Sequence, residues 1–151
     1  MVQLSRLAAA SSSGERMLAL RLEEGEEIVA SLLEVAAQEG MTAAEITGIG
    51  ALSSVTLGFF ELDRRRYHEN PLQEQVEVLS LIGNLAELEG KPKLHAHIVV
   101  GKRDGTAMGG HLVEGLVRPT LELIVNEAPR HLRRKTDPAT GLALLELERS
   151  M

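Results

Sequence analysis

The sequence predicts an α+β domain that combines a mainly antiparallel or mixed β-sheet with one principal amphipathic helix. One segment, 26–39, has the apolar period of a surface helix, and the segments after it are short apolar runs separated by turn residues. A single helix followed by many strands at hairpin spacing is typical of this class. The 151 residues are 44% hydrophobic and 25% charged, which suits one domain with its own core.

The chain before the helix divides into two parts. Residues 1–14 carry alanine and serine runs without a sustained period, so we expect a flexible leader there and a domain over 15–151. From Met17 to Leu22, leucines alternate with Ala19 and Arg21, which predicts a strand.

The helix is predicted over Glu26–Glu39. Glu26 and Glu27 stand in its first turn, where the helix dipole favours acidic groups, and Gly40 follows as a C-terminal stop. We therefore interpret the acidic pair as a cap and not as a catalytic pair. Polar side chains such as Ser31 form one face. The opposite side of the helix carries the apolar residues Ile28, Val29, Leu32, Leu33 and Ala36.

Eight strand segments follow the helix. Each is rich in β-branched or alternating apolar residues and is bounded by turn residues, among them the Asp-Pro-Ala-Thr-Gly turn at 137–141. The predicted strands are Ala43–Thr47, Ser54–Leu62, Tyr67–Asn70, Val76–Leu88, Lys93–Val100, Thr106–Glu114, Val117–Asn126 and Leu142–Leu147.

Composition excludes several kinds of function. The chain has no cysteine, which excludes disulfide frameworks, thiol chemistry and cysteine-containing zinc sites. Its three aromatic residues do not form a stacking platform for single-stranded nucleic acid, and its net charge of −6 disfavours binding to DNA. No apolar run approaches the roughly 18 residues of a membrane helix. The N-terminus lacks a signal sequence, so we expect a cytoplasmic protein without membrane contact.

The histidines carry the clearest chemical signal. The segment 94–97, Leu-His-Ala-His, places His95 and His97 on one face of a strand, because strand side chains alternate. His111 follows on the next predicted strand, in the Gly-Gly-His-Leu segment at 109–112. Whether it joins the other two depends on the turn between the strands.

Two registers of this hairpin differ in the face that carries the third histidine. A two-residue Asp-Gly turn would place His111 on the face opposite the other two. A three-residue Arg-Asp-Gly loop, with glycine in the left-handed conformation, would pair Lys102 with Thr106. In that register His97 lies directly across from His111.

Hydrophobicity selects the three-residue loop, because a one-residue slip would mix histidines with the apolar set. His95 is then expected across from Val113, with cross-strand neighbours about 5 Å apart and diagonal ones about 7–8 Å apart. The core face of this register consists of Leu94, Ala96, Ile98, Val100, Gly110 and Leu112.

Three imidazoles at this spacing predict a metal site at His95, His97 and His111. Three neutral histidines, each about 2 Å from the ion, are a recurring zinc site with an open fourth position. The same ligands also suit nickel, copper, iron or cobalt, so we expect a divalent metal and zinc first. Gly109 has no side chain opposite Val99 and would leave room beside the ion. The alternative is that these are ordinary sheet histidines, hydrogen-bonded or at a subunit interface.

The glycine-rich segment 47–54 resembles a dinucleotide fingerprint only superficially, because the third glycine is missing and no helix follows. We predict no cofactor site there. Gly48 and Gly50 are expected to allow a tight turn or a close backbone approach, and to be candidates for lining a pocket. Phe59 and Phe60 point to opposite faces of their strand, so one is expected in the core and the other at an interface.

Two basic clusters, 64–66 and 130–135, are candidates for phosphate patches, although short charge runs are usually solvated turns. His68 and His131 lie beside these clusters. We predict that both are solvated surface residues and not metal ligands.

The order and spacing of these motifs resemble the plant and prokaryote conserved (PPC) domain family. The resemblance runs from about Arg16 to Asn126 and implies a compact α+β domain that assembles as a homotrimer. It also implies a three-histidine metal site, which maps onto His95, His97 and His111. The motifs that carry the resemblance are the segments 47–54, 59–60, 76–84, 94–97 and 109–112.

The family also implies a link to DNA. In plants the domain follows AT-hook segments that contact the minor groove, and in prokaryotes it commonly stands alone and is often labelled a DNA-binding protein. This chain contains no Arg-Gly-Arg-Pro hook, so DNA binding lacks that physical support.

Three functions follow, in order of preference. The first is a metal-binding homotrimer that recognises a small ligand or a protein partner. The second is a metal-dependent hydrolase or lyase, which also needs a group that moves protons. No carboxylate is evident for that role, since Glu114 falls on the opposite face and Glu45, Glu77 and Glu87 can be placed only by the fold. The third is DNA binding through the arginine turns.

Overall fold

The computed structural model describes residues 2–8, 16–128 and 132–147. Within them the chain forms nine strands, one α-helix and one 3₁₀ turn at Leu62–Arg64. The elements are β1 (Gln3–Ala8), β2 (Met17–Glu23), α1 (Ile28–Gln38), β3 (Ala44–Glu61), β4 (Arg66–Leu72), β5 (Val76–Leu88), β6 (Lys91–Gly101), β7 (Ala107–Glu127), β8 (Arg133–Thr136) and β9 (Ala143–Glu146). The predicted α+β class with one principal helix is confirmed.

Four long strands close on themselves. β3 pairs with β5 and β7, and β6 pairs with the same two strands, so that β3, β5, β6 and β7 form a closed circuit of antiparallel pairs. β2 and β1 extend the sheet beyond β7, and β4 pairs with the second half of β3. β8 pairs in parallel with β5 and forms a hairpin with β9. Side chains on the circuit therefore point either to its core or to its outer surface.

The core is built from aliphatic side chains of α1 and the long strands. Truncating a fully buried leucine to alanine in such a core costs about 2–5 kcal/mol of stability. The largest fully buried side chains are Leu18, Leu22, Ile28, Ile46, Leu52, Val55, Leu57, Leu81, Leu85, Ile98, Leu121 and Leu123.

The helix is fixed at both ends by the predicted residues. The Glu27 carboxylate accepts hydrogen bonds from the backbone N–H groups of Val29 and Ala30, at 3.1 and 2.7 Å, so it is the N-cap. It also accepts one from the N–H of Gly115 on β7, at 3.1 Å. Gly40 has a φ of +63°, the left-handed conformation expected after a helix. Helix α1 packs on β6 and β7.

The prediction of a flexible leader over 1–14 is wrong for the part that the structure describes. Gln3–Ala8 forms β1, which pairs with β2 through the backbone. Its described side chains from Gln3 to Leu7 are all exposed, so no side-chain alternation marks the strand. Backbone pairing to a sheet edge requires no such pattern. Residues 9–14 lie outside the described residues.

The predicted break between the strands Ala43–Thr47 and Ser54–Leu62 is also wrong. The chain runs through as the single strand β3, and the glycine-rich segment lies within it. A β-bulge between Gly48 and Gly50 replaces the expected tight turn.

Among the described residues, no helix is long and apolar enough to span a bilayer.

Candidate metal centre

The β6–β7 hairpin has the predicted three-residue loop. The N–H of Lys102 donates to the carbonyl of Thr106 at 2.8 Å, and the N–H of Gly105 donates to the carbonyl of Lys102 at 2.9 Å. Gly105 has a φ of +85°, which glycine adopts without strain. Asp104 Oδ1 accepts from the Thr106 N–H at 2.9 Å and so closes the loop further.

This register brings the three predicted histidines together. His97 is the direct cross-strand partner of His111. One ring nitrogen from each of His95, His97 and His111 lies within 4.8 Å of the other two. The ring centroids are 5.2 Å apart for His95–His97, 5.4 Å for His95–His111 and 5.7 Å for His97–His111. The cluster lies on the outer surface of the circuit, because Ala96 and Ile98, which alternate with the two histidines of β6, are buried in the core.

One detail of the predicted register is wrong. In the described residues, pairing between β6 and β7 ends at His97 and His111, so His95 does not face Val113. Beyond that point β7 pairs with β3, with a register shift at Val113. His95 instead lies opposite Asn84 on β5.

Burial holds two of the rings neutral. It lowers the pKa of His111 to about 4, with smaller contributions from His95, His97 and Lys93. The pKa of His95 is also lowered, first by burial and then by the positive charge of Arg134. Neutral imidazole is the form that binds a metal ion.

The donor set fits a metal ion. His111 Nδ1 is buried and has no hydrogen-bond partner among the described residues. A buried polar atom without a partner is unusual and unfavourable, so this nitrogen is free to bind an ion or another ligand. Three imidazoles without a carboxylate suit a borderline divalent metal such as zinc.

An aromatic residue that the sequence did not single out supports the cluster. The ring of Tyr67 on β4 stacks on His111 with a centroid distance of 4.6 Å, and Phe60 meets Tyr67 edge-on at 5.2 Å. Gly58 makes room for this stack, since a Cβ atom there would lie 2.9 Å from Tyr67 Cδ1. Burial raises the pKa of Tyr67, so its hydroxyl stays protonated at neutral pH.

A groove of about 670 Å³ opens beside the cluster, and we call it the histidine groove. This volume is within the range of small-molecule sites. β6 and β7 form one wall, β3 and β4 a second, and the β8–β9 hairpin a third. Its lining residues are Gly58, Phe59, Phe60, Tyr67, Leu88, Lys93, Leu94, His95, His97, Gly110, His111, Arg134, Thr136, Gly141, Leu142, Ala143 and Leu144.

Arg134 joins the third wall to the sheet. Its side chain is only 7% exposed, donates to Asn84 Oδ1 on β5, and donates to the carbonyl of Ala143 at 2.8 Å. The prediction that short basic runs are solvated is therefore wrong for this residue. It is correct for Arg64 and Arg66, which are exposed and pair with Glu61.

The predicted pocket glycines lie elsewhere. Gly109 is exposed opposite Val99, two pairs from His111 along the hairpin, and Gly58 and Gly110 line the histidine groove instead. Gly48 lines a second groove on another part of the sheet, and Gly50 lines neither groove. The predicted close approach is confirmed, because a Cβ atom at Gly50 would lie 2.4 Å from the Thr120 carbonyl oxygen.

None of the four glutamates considered for proton transfer lines the histidine groove. Glu114 accepts a hydrogen bond from the Thr56 hydroxyl at 3.0 Å, and Glu87 pairs loosely with Arg133 at 4.0 Å. Glu45 and Glu77 are exposed.

The remaining predicted residues are mostly at the surface. His68 is exposed, as predicted, and His131 lies outside the described residues. Neither phenylalanine is in the core, because Phe59 is 68% exposed and Phe60 is half-buried against Tyr67. The expectation that one of them fills the core is therefore wrong.

The fold and the cluster define a class: single-helix, antiparallel β-sheet domains that carry three histidines on one hairpin. Comparison with known proteins identifies the family. The model of the Plants and Prokaryotes Conserved (PCC) domain matches residues 9–129, and the chain belongs to this family. It is the family that the sequence motifs resemble.

Solved structures agree with this assignment over nearly the whole chain. A plant- and prokaryote-conserved (PPC) protein from Pyrococcus horikoshii is 34% identical, with a TM-score of 0.84, and the match covers 99% of this chain and 97% of that one. A protein from Archaeoglobus fulgidus described as metal-containing is 34% identical, with a TM-score of 0.81 and coverages of 87% and 93%. A candidate DNA-binding protein from Bacteroides thetaiotaomicron is 28% identical, with a TM-score of 0.87 and coverages of 97% and 99%.

A curated relative is much longer than this chain. The Bifunctional protein GlmU of Synechococcus sp. (strain JA-3-3Ab) is 31% identical over 137 residues, which are 89% of this chain. The chain spans 21% of the length of that relative.

Proposed function

We propose that the protein is a homotrimeric metal-binding domain in which His95, His97 and His111 hold a zinc ion beside a ligand-binding groove. The single observation that carries the proposal is the group of three ring nitrogens within 4.8 Å of one another. Three imidazoles would leave a coordination position open on zinc, where an oxygen ligand would be polarised. The similarity to a metal-containing protein of Archaeoglobus fulgidus supports the same assignment.

The surrounding residues position the ligands. Ala96 and Ile98 are buried and hold β6 so that both of its histidines face outward. Tyr67 packs flat on His111 and limits the rotation of that ring. A site whose ligands are oriented by packing binds its ion without first having to order them.

The homotrimer is supported by a second exposed surface. Four large aliphatic side chains, between 36% and 60% exposed, lie on β3, β5 and β7, and we call them the apolar face: Ile49, Leu79, Ile82 and Ile124. Contiguous apolar surface of this kind marks sites of protein association. The proposal assigns this face to contacts between copies of the chain.

Metal content tests the first half of the proposal. Untagged protein is expected to contain about one zinc ion per chain by elemental analysis, and His97→Ala is expected to lose it. His68→Ala is the matched control, because His68 is exposed and lies outside the groove. Equal metal content in wild type and His97→Ala would contradict the site.

Light scattering tests the second half. A homotrimer is expected at about 49 kDa, three times the 16.4 kDa of one chain. A mass near 16 kDa at micromolar concentration would contradict the assembly.

A metal-dependent hydrolase or lyase is the second candidate, favoured by the groove beside the cluster. No Asp or Glu is among the described lining residues, so the group that moves a proton would have to be Tyr67, Lys93 or a histidine. Binding without reaction requires no such group, and we therefore rank it first.

DNA binding is ranked last. The net charge is −6, and Arg64 and Arg66 are already paired with Glu61. Affinity for duplex DNA that falls steeply between low and moderate salt would support it, and no retention in low salt would exclude it.

A further inference from the structure

The described residues that line the histidine groove include no acidic side chain. Asp and Glu number 22 in the chain against 16 Lys and Arg, yet none of them is among the described lining residues of the groove. Lys93 and Arg134 are both among them. A divalent ion on neutral imidazoles would add two further positive charges. The groove is therefore electropositive in a protein that is acidic as a whole, which favours a negatively charged ligand.

Arg134 contributes a buried positive charge beside His95. Its two terminal nitrogens are bonded to Asn84 and Ala143, but its Nε is buried and has no partner among the described residues. A buried guanidinium N–H without a partner is costly. An anionic oxygen that enters the groove beside His95 would be held close to this charge.

The rest of the lining is largely apolar. Phe60 and Tyr67 form an aromatic wall, and Leu142 and Leu144 of the β8–β9 hairpin also line the groove. The ligand therefore has two parts, a compact anionic head and an apolar body. A phosphate group with several anionic oxygens would need more donors than Lys93 and Arg134 offer.

We propose that the histidine groove binds a small organic carboxylate, with the carboxylate at the three histidines and its aliphatic part between the aromatic wall and the β8–β9 hairpin. This inference rests on the proposed metal site and specifies the class of ligand that the site recognises. The carboxylate oxygen takes the open coordination position, and Lys93 and Arg134 balance its charge.

The test uses cobalt-loaded protein, because the visible spectrum of Co²⁺ changes when a ligand enters its coordination shell. Acetate, butyrate and hexanoate are titrated at constant ionic strength, with inorganic phosphate as the competing source of negative charge. Dissociation constants are expected to fall by up to about fourfold for each added methylene, as burial of an aliphatic chain predicts. Phosphate is expected to bind more weakly than hexanoate.

Variants of two exposed residues test the anionic head and the apolar body of the ligand separately. Lys93→Gln is expected to weaken binding of all three acids by a similar factor of about three to ten. Its matched control is Lys91→Gln, on the same strand and outside the groove. Leu144→Ala is expected to weaken hexanoate and leave acetate unchanged, and Leu62→Ala, also exposed and outside the groove, is the control.

The outcomes distinguish this inference from the proposed function. If Co²⁺ binds through the histidines but the acids leave its spectrum unchanged, bind equally or bind more weakly than phosphate, the carboxylate inference is overturned and the metal site stands. If Co²⁺ does not bind, the proposed function fails. Calorimetry on metal-free protein then tests whether the groove binds carboxylates. Binding that strengthens with chain length would support the inference, and no binding would overturn it.

Discussion

The histidine groove and the apolar face lie next to each other and differ in their chemistry. They meet at one cross-strand pair, since Ile82 on β5 belongs to the apolar face and its partner His97 on β6 belongs to the groove. The apolar face presents aliphatic side chains, whose burial contributes roughly 25 cal/mol per Å² without requiring a defined geometry. The groove presents ring nitrogens at fixed positions. Adjacent strands of one sheet thus carry two surfaces of different chemistry, which we propose serve assembly and ligand recognition.

Removing one metal ligand should weaken metal binding in the groove and leave assembly through the apolar face unchanged. Metal affinity of His97→Ala is expected to fall by at least about 100-fold, more than is usual for loss of an outer-sphere partner. The molecular mass should be unchanged, because the side chain contributes nothing to the core. Isothermal titration with zinc and light scattering measure the two effects. An unchanged zinc affinity would contradict the three-histidine site.

Disturbing the aromatic support should weaken the same site less. In Gly58→Ala the new Cβ would lie 2.9 Å from Tyr67 Cδ1, so the Tyr67 ring must move relative to His111. Zinc affinity is expected to fall by about tenfold, as for other groups that orient a ligand. Gly109→Ala on the hairpin itself is the control, and a larger effect there would restore Gly109 as the residue that makes room for the ion.

A charge introduced on the apolar face should disrupt assembly and leave metal binding unchanged. Ile49→Glu places a carboxylate at a 60% exposed position whose partner on β7 is Glu122. Desolvation of this charge at a subunit contact is expected to reduce the mass threefold, to that of one chain, with the zinc content retained. Leu62→Glu, at a 62% exposed residue outside the face, is the control. A trimeric Ile49→Glu would exclude this face from the contact.

The smallest expected effect is the dependence of stability on pH. Burial lowers the pKa of His111 from 6.5 to about 4, so between these pH values the unfolded chain binds a proton that the folded protein does not. Stability of the metal-free protein should therefore decrease as the pH falls from 6.5 to 4. Urea unfolding at several pH values measures it, and His111→Gln should show a shallower decrease. Identical profiles would contradict the burial of this ring.

The histidine hairpin could be predicted because its determinants are local. The Arg-Asp-Gly loop sets the register, and the alternation from Leu94 to Val100 decides which face is buried. Two strands and one loop thus place His97 opposite His111. The stack of Tyr67 on His111 depends on β4, and only the paired sheet shows that Gly58 leaves space for it.

The apolar face could not be predicted because β-bulges interrupt the alternation. In β5 a register shift between Val78 and Ser80 turns Leu81 into the core and leaves Ile82 exposed. A similar shift at Gly48–Gly50 lets β3 continue where the sequence predicted a turn. A bulge adds one residue and exchanges the faces of all that follow, so a strict period of two fails there.

The third wall of the groove could not be predicted, because it depends on contacts between residues that are distant in sequence. The strand at Leu142–Leu147 was predicted and is present as β9, but β8 was interpreted as part of a solvated basic run. β8 is held by parallel pairing with β5, which lies more than forty residues earlier in the chain. No local pattern at Arg134 reveals that its side chain is buried against Asn84.

The absence of carboxylates among the described residues around the three imidazoles also determines which cations bind poorly there. Magnesium and calcium are hard ions that require several oxygen ligands. The described lining of the groove offers them no acidic side chain. Magnesium and calcium would therefore compete weakly for this position, even where they outnumber a borderline transition metal.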